Sequence, residues 1–571
     1  MSLPRLQSTS PIVIICAALC AVLGGATSVL ATTSFDQLGS DIDAEAAGDN
    51  SGYSVAMSSD GTTVAVGATS NDGNGDFAGH VRVFEFSGGS WSQLGSDIDA
   101  EAAGDNFGES IALSADGTTL AVGAPANDGT GMNGGHVRVF GFSGGNWNQL
   151  GSDIDAEAAY DNFGESIAIS ADGNRVVVGA VGNDTTGLNA GQVRVFDLLM
   201  GEWIQAGPDI NGEAADDQFG HSVGISDDGS RIVVGAKSTD SNGANAGSAY
   251  IYDLNSGNWD LTQTFIGEVA GDNFGTAVSM TGDGTTVAVG ATGNDGPNGD
   301  SYSAGHVRVF QFSDGSWSQA GSDIDGEAQS DQLGRSLALS SDGKILAAGA
   351  PGNDGTGSGA GHVRMYQFAD GVWTQLGDDI DGEATGDASG ISLSLSSDGE
   401  TVAIGAYANA GSGDYAGHVR VYSVSTAATL NITYDSQGGS AISDGDATTT
   451  SGGSISVLPT DPTRDGYTFA GWFTAASDGT QITAGEAHNQ TTDFTLYAQW
   501  TENPVTTTTE VPATTTTDVS ATTTTDVPSD LLLPSTGSEN TSEFLTIATM
   551  SGLLGAGVAL IVIIRRRMHI G

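Results

Sequence analysis

The chain is nearly without cysteine: two among 571 residues, Cys16 and Cys20, both inside an apolar stretch near the N-terminus. If that stretch is removed on export, no thiol and no disulfide remain. Cysteine nucleophiles, cysteine-ligated zinc and covalent staples are then excluded, and stability has to come from packing alone. Positive charge is equally scarce: 16 Lys and Arg face 70 Asp and Glu, a formal net charge of −54. Such a surface repels phosphate backbones, which argues against nucleic acid as a partner, and it disfavours docking on anionic lipid. Proline is sparse, 12 residues against 86 glycines, so the glycines read as turn residues and not as parts of a Pro/Gly linker. Long apolar runs are confined to the two ends.

Those ends give an address. Residues 1–31 have the order of a secretory signal: Arg5, an apolar run from Ile12 to Val22, and the small-residue exit Val29-Leu30-Ala31 before Thr32. At the other end stands Leu533-Pro534-Ser535-Thr536-Gly537. A run from Phe544 to Ile564, long enough to span a bilayer, and then Arg565-Arg566-Arg567 follow it. Motif, span and basic tail in this order resemble the Leu-Pro-x-Thr-Gly sorting signal of sortase substrates. The resemblance implies cleavage between Thr536 and Gly537 and an amide link from Thr536 to peptidoglycan. The expected partners are therefore sortase and the cell wall of a Gram-positive-type surface. Membrane contact is expected only through the transmembrane helix 544–564, before processing.

Between Phe35 and Val424 the chain repeats itself with a period of about 56 residues. One unit runs Trp91-Ser-Gln-Leu-Gly, Asp97-Ile-Asp99-Ala-Glu101, Asp105-Asn-Phe107-Gly108, Asp116-Gly117, Leu120-Ala-Val-Gly123-Ala124 and Gly135-His-Val-Arg-Val-Phe140. The Phe-Gly glycine recurs at Gly52, Gly108, Gly164, Gly220, Gly275, Gly334 and Gly390. Each unit holds four short segments rich in Val, Ile and aromatics, parted by Gly and Asp turns. That pattern predicts a four-stranded antiparallel blade. The Asp-Gly pairs at Asp60, Asp116, Asp172, Asp228, Asp283, Asp342 and Asp398 mark a hairpin between the first two segments. The Trp-led strand occurs at Trp91, Trp147, Trp203, Trp259, Trp317 and Trp373, one copy short of seven. Phe35-Asp-Gln-Leu-Gly stands ahead of the first blade, and the last blade ends at Val424 without such a strand. Residues 32–427 are therefore expected to form a seven-bladed β-propeller, closed by segment 35–42 pairing with the strand at 417–422, which leaves no free sheet edge.

The unit resembles the FG-GAP repeats of integrin α-subunit propellers. It departs from them where their calcium loop, Asp-x-Asp-x-Asp-Gly-x-x-Asp, should join the first and second strands. Here that connection is Ser-Ala-Asp-Gly or similar, so the integrin calcium site does not carry over. The long acidic loops fall instead on the opposite face. There a Glu and an Asp four residues later recur in every blade, including Glu101/Asp105 and Glu157/Asp161, while the next loops add Asp128 and Asp184. Two roles are open for these residues. One is structural, with the Asp capping loop amides and the Glu pairing with the repeated arginine (Arg82, Arg138, Arg194, Arg308, Arg364, Arg420). The other is a divalent cation, Ca²⁺ for preference, held by Glu101, Asp105, Asp128, Glu157, Asp161 and Asp184. His80, His136, His306, His362 and His418 share one strand position and read as filling, spread around the ring and not gathered at one place. Residues that break the repeat, such as Tyr160, His221 and Lys237, form no recognisable catalytic set, so no enzyme is expected.

Residues 428–500 change character. Leu430-Asn-Ile-Thr-Tyr434, Gly466-Tyr467-Thr-Phe469-Ala-Gly471-Trp472-Phe473 and Leu496-Tyr-Ala-Gln-Trp500 resemble the Listeria–Bacteroides (internalin-type B) repeat, which implies a small β-grasp-like module with the aromatics in its core. In residues 501–532 three runs of four threonines alternate with Val, Pro and acids. Such a stretch cannot bury enough apolar area to fold and reads as a disordered, extended stalk. Residues 533–571 hold the sorting signal. The whole order describes an all-β surface protein whose head binds an extracellular protein or glycan. A hydrolase or lyase on the same scaffold and a passive acidic coat are the alternatives.

Overall fold

A computed structural model describes residues 33–504 apart from 297–301, 427–428, 444, 446–447, 451–453, 456, 486–487 and 491. The segment 1–31, almost all of the Thr-rich stretch, Leu533 to Gly537 and the span 544–564 lie outside the described residues. Among the described residues every regular element is a β-strand, and no helix is long and apolar enough to cross a membrane.

The repeat becomes seven antiparallel sheets. The first is built in sequence order from Ser51–Met57, Thr63–Ala68, His80–Ser87 and Ser90–Gln93. The two-residue strand Ile98–Asp99 adds to the start of His80–Ser87. The local cause is visible at the first turn. Asp60 Oδ1 accepts from the Thr62 amide at 3.0 Å and the Ser58 hydroxyl at 2.8 Å, while Gly61 takes the left-handed position at φ 73°. The same carboxylate bond to a backbone amide recurs at Asp116, Asp172, Asp228, Asp283, Asp342 and Asp398. The Asp-Gly hairpins are thus fixed by the Asp side chain as much as by the glycine.

Successive sheets pack face to face. The first strand of each lies beside the first strand of the next, from Ser51–Met57 through Ile111–Leu113, Phe163–Ile169, Phe219–Ile225, Phe274–Met280 and Ser336–Leu339 to Ser392–Leu395, which lies beside Ser51–Met57. The apolar core is correspondingly divided. One cluster joins Val81 and Val83 of the first sheet to Leu120 and Val122 of the second, and another joins Val55 and Val64 to Val419 and Val421 of the seventh. Ser54 Oγ donates to the Gly108 carbonyl of the next sheet at 2.6 Å, a bond repeated from Ser110, Ser166, Ser222 and Ser336 and again from Ser392 to Gly52 at 2.8 Å. A Cβ on Gly67 would collide with the Gly108 carbonyl, which is why this position holds glycine.

The seventh sheet draws on both ends of the repeat region. Thr33–Gln37 pairs antiparallel with His418–Thr426, with Phe35 opposite Val424 and Gln37 opposite Tyr422, and Ile42 then pairs with Val419. The N-terminal segment thus occupies the outer-strand place that the last unit lacks. Five of the six outer tryptophans, Trp317 excepted, also reach one sheet back: Trp91 Nε1 donates to the Leu38 carbonyl at 2.7 Å and Trp147 Nε1 to the Leu94 carbonyl at 2.8 Å, and Trp203, Trp259 and Trp373 do likewise. The fourth sheet differs, because Asn258–Ile266 forms one nine-residue outer strand with a bulge where the others have two short pieces.

The remaining described segment is a mixed five-stranded sheet. Thr429–Asp435 pairs parallel with Phe494–Glu502, and Tyr467–Phe473 pairs antiparallel on the other side of the latter. Trp472 is 2% exposed and packs against Tyr434 and Phe469, so these aromatics form the core, as the resemblance to the repeat implies.

Candidate functional site

Seven related units allow an internal comparison, and the residue that follows each Phe-Gly glycine takes six identities among the seven: Tyr53, Glu109, Glu165, His221, Thr276, Arg335 and Ile391. Each stands on the first strand of its sheet or at that strand's entry, and all seven line one cavity of about 260 Å³. A second varying position follows the Gly-Ala pair: Thr69, Pro125, Val181, Lys237, Thr292, Pro351 and Tyr407. Lys237 and Thr292 join His221, Asn273, Thr276, Gln332 and Arg335 around a further cavity of about 210 Å³. Two variable positions of the repeat therefore meet where the first strands lie side by side.

His221 and Lys237, which the sequence pattern left as unrelated exceptions, are partners. Lys237 Nζ lies 3.2 Å from His221 Nε2. An ammonium can only donate, so Nε2 accepts, and the imidazole proton falls on Nδ1, which faces Glu165 Oε1 at 3.9 Å. Burial, with Lys237 and Arg335 nearby, holds His221 neutral, its pKa down to about 3. Burial likewise pushes Glu165 above the ordinary carboxylate range and Lys237 below the ordinary amine range. Glu109, buried and next to Glu165, is pushed up to about 7, and it accepts from Tyr53 Oη at 3.2 Å. Tyr53 also meets Tyr407 edge-on at 5.7 Å. Tyr160, the third exception, is elsewhere: it is 57% exposed and points its hydroxyl at Met132.

In the acidic loops the aspartates bond backbone amides. Asp105 Oδ2 accepts from the Ala102 amide at 3.0 Å and Asp161 Oδ2 from the Ala158 amide at 3.0 Å. Asp128 Oδ1 takes the Asn133 amide and Asp184 Oδ1 the Asn189 amide, both at 2.8 Å. Among the described residues none of these four belongs to a group of three His, Cys, Asp or Glu side chains with ligand-type atoms within 4.8 Å of one another. Their carboxylates close loops. Glu157 lies 3.5 Å from the Gln192 amide nitrogen.

Glu101 belongs to another arrangement, which the sequence reading missed. Glu101, His136 and Asp153 bring ligand-type atoms within 4.8 Å of one another, and the group recurs as Glu45/His80/Asp97, Glu268/His306/Asp323, Glu327/His362/Asp379 and Asp41/Glu383/His418. The histidines are thus gathered with carboxylates five times over, contrary to the expectation that they merely fill space. The signal lay in the sequence as the shared recurrence of Gln-x₃-Asp and His-x-Arg. Each group already holds a cation, however. Arg138 Nε lies 4.0 Å from Glu101 and 3.9 Å from Asp153, and Arg364 bridges Glu327 and Asp379. The imidazoles, 2% exposed or less, are kept neutral by burial. One ring nitrogen of His136, His306, His362 and His418 has no hydrogen-bond partner among the described residues. These groups are ion-paired wedges beneath the loops, with the guanidinium in the place of a metal.

Comparison with known proteins agrees with the two repeat types. The family model described as FG-GAP repeat matches residues 99–140, 155–196 and 211–252, which span most of the second, third and fourth sheets. The model described as Listeria-Bacteroides repeat domain matches residues 431–499, the mixed sheet. Internalin H of Listeria monocytogenes is 40% identical over 67 residues, 11% of this chain and 12% of its own length. The chain thus covers about an eighth of that relative.

Proposed function

We propose that this is a non-catalytic binding protein of the cell surface. In this reading the seven sheets form a closed propeller head whose axial cavity takes the ligand. The mixed sheet is a spacer, the Thr-rich segment a stalk, and Thr536 the point of attachment to peptidoglycan. The two repeat types point to an extracellular surface or adhesion-type protein, and the secretory and sorting patterns at the two ends supply the address. One observation carries the binding role. One position of the repeat, the residue after each Phe-Gly glycine, lines a single cavity in all seven units and takes six identities there. Scaffold positions repeat because every sheet needs them, whereas a ligand needs different groups on its different sides.

The test is attachment. Cells carrying the protein should adhere to at least one surface in a panel of proteins and glycans to which cells lacking it do not. Equal attachment by both to every member of the panel would overturn the adhesion role.

A hydrolase or lyase is favoured by one observation, the pairing of Glu109, pushed up to about 7, with Glu165 in a cavity. Sustained turnover of a polysaccharide by the wild-type protein, abolished in Glu109→Gln, would establish that reading in place of the first.

A further inference from the structure

The axial cavity holds cations without the close ion pairs that the other basic residues of the sheets make. In the seven sheets Arg82, Arg138, Arg175, Arg231, Arg308, Lys344, Arg364 and Arg420 are all ion-paired with carboxylates. Arg194 is held by Gln205 and the Asp155 carbonyl. Lys237 and Arg335 are the exceptions. Lys237 bonds only the neutral His221, and the guanidinium of Arg335 has no ion pair or side-chain hydrogen bond among the described residues. Both border the same cavity, with Asn273 and Gln332 beside them. The carboxylates that could balance them, Glu109 and Glu165, lie on the second and third sheets, and Glu109 is already engaged by Tyr53.

In a chain of net charge −54, two cations bordering one cavity, felt by Glu165 but in no ion pair among the described residues, are an unusual local field. They attract a small anion, and the guanidinium supplies the planar fork that a carboxylate matches. The opposite wall excludes a multiply charged anion, since Glu165 and Glu109 would repel it, but it accepts hydrogen bonds from a hydroxyl or ammonium. Resting on the binding role proposed above, we infer that the axial cavity takes a small organic monocarboxylate bearing a hydrogen-bond donor. The carboxylate sits on Arg335 and Lys237, and the donor faces Glu109 and Glu165. An acidic sugar at the end of a glycan and a free hydroxy or amino acid share this chemistry, and the two cavities, of about 260 and 210 Å³, share His221, Thr276 and Arg335, so that one such unit can reach from Lys237 to Glu165.

Glu109 gives the site a direction in pH. The groups facing it are Tyr53, Glu165, Arg335 and, across the cavity, His221 and Lys237. Of these Glu109 changes charge near neutrality, and protonating it removes a negative charge from the wall. Carboxylate binding therefore tightens as pH falls from 8 to 6.

The experiment is isothermal titration of the full chain with D-glucuronate, L-lactate and glycine, with D-glucose as the uncharged control. Lys237→Thr and Arg335→Thr are the variants of choice, because the protein itself carries threonine at equivalent positions (Thr69, Thr292 and Thr276), so folding is retained. At least one carboxylate should bind and glucose should not. Each variant should weaken binding about tenfold or more, while Lys344→Gln, which removes an exposed cation elsewhere, should leave it unchanged. Glucuronate alone binding identifies the sugar-acid source, and lactate or glycine binding identifies the free acid. No heat with any carboxylate at millimolar concentration, equal binding of glucose and glucuronate, or undiminished binding by Arg335→Thr would overturn the inference. If cells bearing Arg335→Thr nevertheless lose attachment, the ligand class fails and the binding role stands. If they attach normally, the cavity is not where attachment occurs, and the adhesion role stands or falls by the comparison with cells lacking the protein.

Discussion

At the residue scale the fold depends on small side chains at the joints between sheets. Gly108 has a φ of 93° and a Cβ there would stand 2.9 Å from the His80 carbonyl, so Gly108→Ala should cost about 3 kcal/mol. Removing the inter-sheet hydroxyl in Ser110→Ala should cost about 1 kcal/mol, because it leaves one carbonyl to be solvated. Chemical denaturation of the two variants measures both. Glu109 makes a different contribution. Its pKa is raised from 4.5 to about 7 in the folded protein, so the folded state holds a proton that the unfolded chain has lost over that interval. Stability contributed by this group is complete below 4.5 and is lost as pH rises through about 7. Glu109→Gln should therefore raise the melting temperature at pH 8 and leave it unchanged at pH 4.

At the scale of the elements, the N-terminal strand is the test piece. Deleting residues 33–43 removes the partner of His418–Thr426 and the Leu38 carbonyl that receives Trp91. Amide exchange along 418–426 should then rise toward that of an unpaired edge, whereas protection in Arg231–Ala236 of the fourth sheet should change little. This pairing was legible in the sequence, since Phe35-Asp-Gln-Leu-Gly copies the Trp-led strand and six such strands serve seven units. The strands and turns were legible for the same reason: apolar alternation and Asp-Gly recur at fixed offsets. The Glu/His/Asp groups were not, because their members come from three separate stretches of each unit. Only the pairing of Ile98–Asp99 with the start of His80–Ser87 brings Asp97 to His80. The axial constellation was half legible. His221 and Lys237 stood out as departures, but equivalent positions in successive units meet only once the first strands lie side by side, and one-dimensional spacing does not show that.

At the scale of the whole molecule, the charge is the dominant tension. A net −54 spread over loops that already use their carboxylates as caps leaves the folded state under self-repulsion, which salt screens over about 10 Å at 0.1 M. Raising sodium chloride from about 0.05 to about 1 M should therefore raise the melting temperature at pH 7. Acid acts the other way on the turns. Asp172 and Asp228 are held below the usual carboxylate range by the neighbouring Asn174 and Ser230, so the stability they add is present above their unfolded pKa and is lost as pH falls through the folded value.

The proposed binding role assigns the scaffold to the repeated residues and the ligand to the seven cavity-lining residues after the Phe-Gly glycines. The comparison that separates these roles is surface attachment by cells bearing a Lys237→Thr/Arg335→Thr variant beside cells bearing a Glu101→Gln/Glu157→Gln variant of the acidic loops. Loss of attachment in the first with retention in the second is the predicted result. Retention in the first with loss in the second would place binding on the repeated acidic face and contradict the account.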